Sequence, residues 1–262
     1  MLYHPDINPY IFELGPIKPT WYGMMYVIAF VLAIVLAKYR AKQQPLWTEE
    51  TADKLVTNYL AFGVILGGRL GYVLFYGLEY WQQDWLYPLK IWQGGMSFHG
   101  GLLGVIFACW LFARKQKMHF FQVTDFLAPL IPAGLFFGRI GNFINGELWG
   151  KISDVPWAMV FPTGGPYPRH PSQLYEAALE GLVLFVVLWL YSAKPRALGR
   201  VSGGFLFGYG LFRALIEFVR EPDAHLSYLA WDWLTMGQIL SLPMILFGLY
   251  LLWRPVTHEK LS

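Results

Sequence analysis

Gly138-Arg139-Ile140-Gly141-Asn142-Phe143-Ile144-Asn145-Gly146-Glu147-Leu148-Trp149-Gly150 follows directly on an apolar run over residues 126–137. A long apolar run that breaks into an arginine, two amides, a carboxylate and four glycines reads as a membrane segment with polar chemistry at its end. Glycine permits backbone angles that other residues resist, and it lets ligands approach closely. The planar fork of donors on Arg139 suits an anion, phosphate above all. The competing reading is an interfacial arginine snorkelling to lipid headgroups, with the glycines serving helix packing.

Working outward, the composition agrees with a membrane segment. Of 262 residues, 56% are hydrophobic and only 14% charged, against about 25% charged in an ordinary soluble domain. The expectation is an all-α integral membrane protein, forming a single membrane domain over residues 1–262. The single cysteine, Cys109, excludes an intramolecular disulfide and a cysteine-rich metal site. It lies in an apolar run, where packing is the ordinary role. The first twenty residues hold Asp6, Glu13 and four prolines and lack a basic start, so the N-terminus is expected to be retained.

Seven segments are apolar enough to span: residues 21–37, 55–76, about 96–112, 121 to about 140, 177–191, 203–219 and 237–253. Strand-period alternation, the signature of a membrane barrel, is absent. Lys38, Arg40, Lys42, Lys54, Arg114, Lys115, Lys117, Lys194, Arg196, Arg200, Arg254 and Lys260 fall in alternate connections. Lys18, Lys90, Lys151, Arg169 and Arg220 fall in the others. The bias places the N-terminus outside and the C-terminus in the cytoplasm. Residues 142–176 then form a small outer cap, rich in glycine and proline. Residues 77–95 carry Trp81, Trp85, Tyr87 and Trp92, an interface-belt composition that suits a helix lying flat. Glycines at four-residue spacing (Gly63, Gly67 and Gly71; Gly100 and Gly104; Gly204 and Gly208) mark close helix contacts.

Three arginines lie within or at the ends of spans: Arg69, Arg139 and Arg213. Arg213 and Glu217 share a helix face, and Arg220 falls on nearly the same stripe. Charge at membrane depth ordinarily faces a bundle interior or a wet cavity. Either the pair neutralises itself at a helix end, or two or three arginines converge as a phosphate clamp. His99, at the outer start of the third span, is either a structural histidine or a general base, because imidazole exchanges protons near neutral pH. Glu147 can orient an arginine or act as a base. Tyr22 is a belt residue or a site hydroxyl. Ser172 is a plausible helix cap. Zinc-ligand spacing, a phosphate loop and a Ser-His-Asp order are all absent.

Four blocks carry a resemblance: residues 96–102 (Met-Ser-Phe-His-Gly-Gly-Leu), 138–147, 169–176 (Arg-His-Pro-Ser-Gln-Leu-Tyr-Glu) and 213–222 (Arg-Ala-Leu-Ile-Glu-Phe-Val-Arg-Glu-Pro). With them the chain resembles the bacterial phosphatidylglycerol–prolipoprotein diacylglyceryl transferase family from about residue 21 to 238. The resemblance implies a seven-helix inner-membrane enzyme whose site opens to the periplasm and laterally to lipid. It implies transfer of the sn-1,2-diacylglyceryl group from phosphatidylglycerol to the lipobox cysteine of a prolipoprotein, forming a thioether and releasing glycerol phosphate. It implies no metal, cofactor or nucleic-acid partner. By the same resemblance, Arg139 matches the lipid-binding arginine, and Arg213, His99, Tyr22, Asn142, Gly150 and Glu217 match other sensitive positions. The assignment that follows has Arg139 on the lipid phosphate, and Arg213, oriented by Glu217, on the leaving phosphate. His99 is the candidate base with Glu147 as its alternative, while Asn142 and Tyr22 supply hydrogen bonds. The cap is shorter than the family's usual one. A lipid transporter and a non-catalytic scaffold are the rival classes; the lack of an internal repeat and the outward placement of the polar residues weigh against the transporter.

Overall fold

The computed structural model describes residues 2–15, 18–222 and 234–255. Lys260, one of the residues in the charge count, lies outside them. The long helices are α1 (Trp21–Ala41), α2 (Glu49–Tyr76), α3 (Leu78–Gln83), α4 (Phe98–Lys115), α5 (Phe120–Leu127), α6 (Ile131–Ile144), α7 (Ser172–Tyr191), α8 (Arg200–Ile216) and α9 (Met236–Trp253). A two-residue parallel pair, β1 (Leu2–Tyr3) with β2 (Met159–Val160), ties the N-terminal segment to the cap. Four helices, α1, α2, α7 and α9, are long and apolar enough to cross a membrane, or five spans if the α5–α6 pair counts as one. The chain is thus an all-helical, multi-pass membrane protein.

Helix ends follow local chemistry more than hydropathy. α2 starts six residues before the apolar run does. Thr48 and Thr51 form a reciprocal cap there: the Thr48 hydroxyl accepts from Thr51 N at 3.1 Å, and the Thr51 hydroxyl accepts from Thr48 N at 2.9 Å. A π-helical turn, Leu55–Leu60, joins this polar start to the apolar part. α9 begins on the same kind of cap, between Thr235 and Gln238. The fourth expected span is not one helix but two, α5 and α6, bent by 48°. Pro129 lies in the break and Pro132 in the first turn of α6, and proline supplies no N–H to continue a helical ladder.

The chain divides into two units, Met1–Ala33 with Asp125–Ser262, and Ile34–Thr124. In the second unit, α2 and α4 meet along glycines. A Cβ on Gly63 would sit 2.8 Å from the Gly104 carbonyl oxygen, and one on Gly71 would sit 2.7 Å from Gly100 Cα. Larger residues would force the helices apart. Arg69, on the same helix, is buried and faces backbone carbonyls. It donates to Tyr87 O at 2.6 Å, Pro88 O at 3.2 Å and Gly94 O at 2.5 Å, with its guanidinium 4.6 Å from the Tyr87 ring centroid. These bonds fix the tryptophan-rich segment that contains α3.

In the first unit, α8 packs on α9 where Gly203 and Gly210 meet Leu251 and Ile245, and α6 packs on α7 where Gly181 meets Phe136. Asp125 of α5 caps the start of α8 from outside, accepting from Gly199 N at 2.6 Å and Ser202 N at 2.7 Å. With α6, α7 and α8 set in this way, their polar residues share one interior.

Candidate active site

Three helices bring charge to one place. α6 presents Arg139, and α7 presents Glu176 and Glu180 four residues apart. α8 presents Arg213, with Glu217 and Arg220 just past its end. Glu176 is fully buried and bridges all three arginines. Its Oε2 lies 3.3 Å from Arg139 Nε; its Oε1 pairs with Arg213 Nη1 and lies 3.8 Å from Arg220 Nε. Glu217 joins the two arginines of its own stripe, at 2.5 Å to Arg213 Nη2 and 3.2 Å to Arg220 Nη1, while its Oε2 accepts from the Thr235 hydroxyl at 2.6 Å. The i,i+4 pair expected from the sequence is therefore present, and the third arginine joins it. Three guanidiniums and three carboxylates balance in charge, which is how a buried ionic cluster escapes a large desolvation penalty.

Arg139 differs from its neighbours. It has two ion pairs, to Glu176 and, at 3.7 Å, to Glu180, yet it makes no hydrogen bond among the described residues. Its side chain is 19% exposed. A guanidinium with unspent donors is equipped to take an oxyanion in a bidentate grip.

Asn142, one turn beyond Arg139, begins a second polar group. Its Nδ2 donates to Glu147 Oε1 at 2.8 Å, and Asn145 Nδ2 reaches the same oxygen at 3.4 Å. Tyr22, at the start of α1, packs on Gly141, interacts with the Asn142 side chain, and has its hydroxyl 3.0 Å from the Tyr26 hydroxyl. Tyr22, Asn142 and Glu147 thus form one constellation.

The chain that carries Glu147 is held by its carbonyls. Leu148 sits at φ +58° and Gly146 at φ +64°, so the segment turns sharply. Thr163 donates to Gly146 O at 2.6 Å, Gln173 Nε2 to Glu147 O at 2.6 Å, and Ser172 Oγ to Leu148 O at 2.9 Å. Ser172 is therefore not the helix cap its position suggested: its hydroxyl is spent as a donor, and Pro171 occupies the cap position. Gly150 closes the turn. Its N–H donates to His170 O at 2.8 Å, and a Cβ there would strike Val219 O and His170. Gly150→Ala is expected to cost about 1–3 kcal/mol of stability through this overpacking, read as a lower melting temperature in detergent. Partial burial lowers the pKa of His170 from its ordinary value, and its Nδ1 lies 3.1 Å from the Tyr175 hydroxyl. Farther out, Arg169 stacks 4.0 Å above Trp149 and pairs with Glu221 at 3.1 Å.

His99 belongs to the other unit. It is the second residue of α4, exposed, with its ring edge-on to Phe98 at 5.7 Å.

The comparison with known proteins decides the family. The model of the prolipoprotein diacylglyceryl transferase family matches residues 9–254. The chain belongs to this family. A protein of Nitratidesulfovibrio vulgaris (strain DP4) is 58% identical over 253 residues, 96% of each chain. One of Pseudomonas aeruginosa (strain PAO1) is 58% identical over 253 residues, 96% of this chain and 95% of its own. One of Oleidesulfovibrio alaskensis is 59% identical over 261 residues, 99% of this chain and 97% of its own. All three are named phosphatidylglycerol–prolipoprotein diacylglyceryl transferase. Within this diacylglyceryl transferase fold, the sequence reading had found the arginines and Glu217 but missed Glu176 and Glu180. Glu176 fell one residue before the expected start of its span. Glu180 lay inside it, and a carboxylate in an apolar span is itself a signal.

Proposed function

We propose that this chain catalyses the first step of lipoprotein maturation: it moves the sn-1,2-diacylglyceryl group of phosphatidylglycerol to the lipobox cysteine thiol of a prolipoprotein. The observation that carries the mechanism is Arg139, a partly exposed guanidinium with free donors beside a charge-balanced cluster. Arg139 grips the lipid phosphate. The substrate thiol loses its proton, and its sulfur attacks the glyceryl carbon that bears the phosphate ester. The C–S bond forms as the C–O bond breaks, and the bonding pair leaves on the phosphate oxygen of glycerol phosphate. Arg213, held by Glu176 and Glu217, stabilises the charge that grows there; fixed cations in a water-poor site stabilise such charge strongly. Asn142 and Tyr22 orient the headgroup by hydrogen bonds, and Gly150 keeps the turn that presents Glu147. The thiol proton goes to His99, with Glu147 the alternative acceptor. The nucleophilic cysteine is the substrate's; the chain's own Cys109 is buried. No metal or cofactor enters the reaction.

The membrane arrangement proposed with it has seven spans in the bacterial inner membrane, the N-terminus periplasmic and the C-terminus cytoplasmic. α4, of 18 residues, and α8, of 17, join the longer helices. At ~1.5 Å per residue, 17 residues reach ~25 Å, the lower end of what spans a bilayer. The excess of Lys and Arg in alternate connections supports the orientation.

Purified protein mixed with phosphatidylglycerol and a lipobox peptide should add one diacylglyceryl group to the peptide, seen as a mass increase. No increase from folded protein would remove the transferase reading. His99→Gln should lower turnover by at least about a hundredfold, the ordinary contribution of a general base. Near-normal turnover of this variant would move the proton to Glu147.

A further inference from the structure

Glu180 is the one carboxylate of the cluster to which the reaction above gives no part. Its side chain is fully buried, yet among the described residues neither Oε1 nor Oε2 has a hydrogen-bond partner. Its one ion pair among them is the 3.7 Å contact with Arg139 Nη2. The other two carboxylates are held quite differently. Glu217 has contacts at 2.5, 2.6 and 3.2 Å, and Glu176 is hydrogen-bonded by Arg213. Glu180 is also surrounded by fixed groups: Arg139 on α6, Glu176 on its own helix, Arg213 and Tyr209 on α8, and Arg220 beyond it. The loosest carboxylate therefore faces the loosest guanidinium.

We propose that Glu180 is an exchangeable counter-ion: it neutralises Arg139 in the lipid-free enzyme, yields that guanidinium to the phosphate of the lipid, and reclaims it when glycerol phosphate leaves. This rests on the reading of Arg139 as the phosphate site. Its logic is electrostatic. A buried arginine without an anion is costly, so the lipid-free state needs a partner. A partner held by short hydrogen bonds would block the lipid; a carboxylate held by distance alone does not. Cleavage of the C–O bond places a further negative charge on the departing phosphate, which fixed cations would retain. A carboxylate close to the same guanidinium competes with that anion and speeds its release.

The test is Glu180→Gln, which keeps the side chain's size and removes its charge. In mixed micelles, the KM for phosphatidylglycerol, as a mole fraction, should fall about tenfold, since one like charge no longer opposes the phosphate. Inhibition by added glycerol 1-phosphate should tighten by a similar factor, and kcat should fall as product release slows. A merely structural Glu180 predicts the reverse, a raised KM from a misplaced Arg139. An unchanged or raised KM in protein with a wild-type melting transition overturns the proposal. If the glutamine variant does not fold, Glu180→Asp draws the charge back by one methylene and should lower KM two- to threefold by the rough distance scaling of a Coulomb interaction, with a rise counting against the proposal. In an Arg139→Ala background, where turnover is lost, the glutamine change should leave the Kd for phosphatidylglycerol, measured by direct binding in mixed micelles, where it is. If Arg139→Ala alone binds phosphatidylglycerol with the wild-type Kd, the phosphate reading of Arg139 fails first.

Discussion

Arg139→Ala is expected to abolish transfer, by a factor of about a thousand or more, in a protein that still folds. The catalytic loss should be large because one fixed donor to a developing oxyanion is commonly worth 10²–10³ in rate, and in the proposed mechanism Arg139 also carries the binding of the phosphate. The structural loss is modest because Arg139 contributes no hydrogen bond among the described residues and meets its carboxylates at 3.3 and 3.7 Å. Most of that loss comes from stranding Glu180, so the double variant Arg139→Ala/Glu180→Gln should regain the melting temperature without regaining turnover. Arg213→Ala behaves differently. It empties the shared position between Glu176 and Glu217, both buried, and an uncompensated buried charge costs about 3–5 kcal/mol. Both variants should be inactive, but Arg213→Ala should also melt far earlier. Equal melting temperatures for the two would show that their unequal bonding does not set the stability.

Much of the fold was legible because membrane helices are written in composition. The apolar runs marked α1, α4, α8 and α9 to within a few residues. The errors fall where another force decides. α2 begins on a threonine cap in polar sequence, which hydropathy does not register. The α5–α6 break depends on where two prolines remove donors, inside a run that is uniformly apolar. At the site, Arg213 and Glu217 were readable because helical spacing alone puts them on one face. Glu176 was not, because its partners stand 37 residues away or more on other helices, and nothing local in Pro171-Ser172-Gln173-Leu174-Tyr175-Glu176 announces them. The grip of Ser172 and Gln173 on the carbonyls of residues 147 and 148 is likewise a tertiary fact: those side chains look like caps until the facing turn is in place.

Glu176→Ala is expected to have the largest effect of any single change on stability. One buried carboxylate meets Arg139, Arg213 and Arg220, and its removal leaves the cluster with three guanidiniums against two carboxylates. The repulsion between Arg139 and Arg213 then has no shared carboxylate between them to offset it. By the cost of an uncompensated buried charge, the loss should be about 3–5 kcal/mol, enough that little protein survives extraction into detergent. Glu176→Gln separates charge from shape. It keeps a carbonyl oxygen for Arg213 to donate to, so the fold should survive better than in the alanine variant. Turnover should still fall steeply, because the spacing of Arg139 and Arg213 no longer answers to a shared anion. Glu221→Ala is the comparison. Glu221 pairs with Arg169 at 3.1 Å, but its side chain is 42% exposed, and such pairs are worth roughly 0–1 kcal/mol. Its melting temperature should barely move, and what change there is should vanish at high salt, whereas the Glu176 effect should persist there, because salt screens exposed pairs and hardly reaches buried ones. A Glu176→Ala protein as stable as Glu221→Ala would mean that the three arginines do not depend on the carboxylate they share.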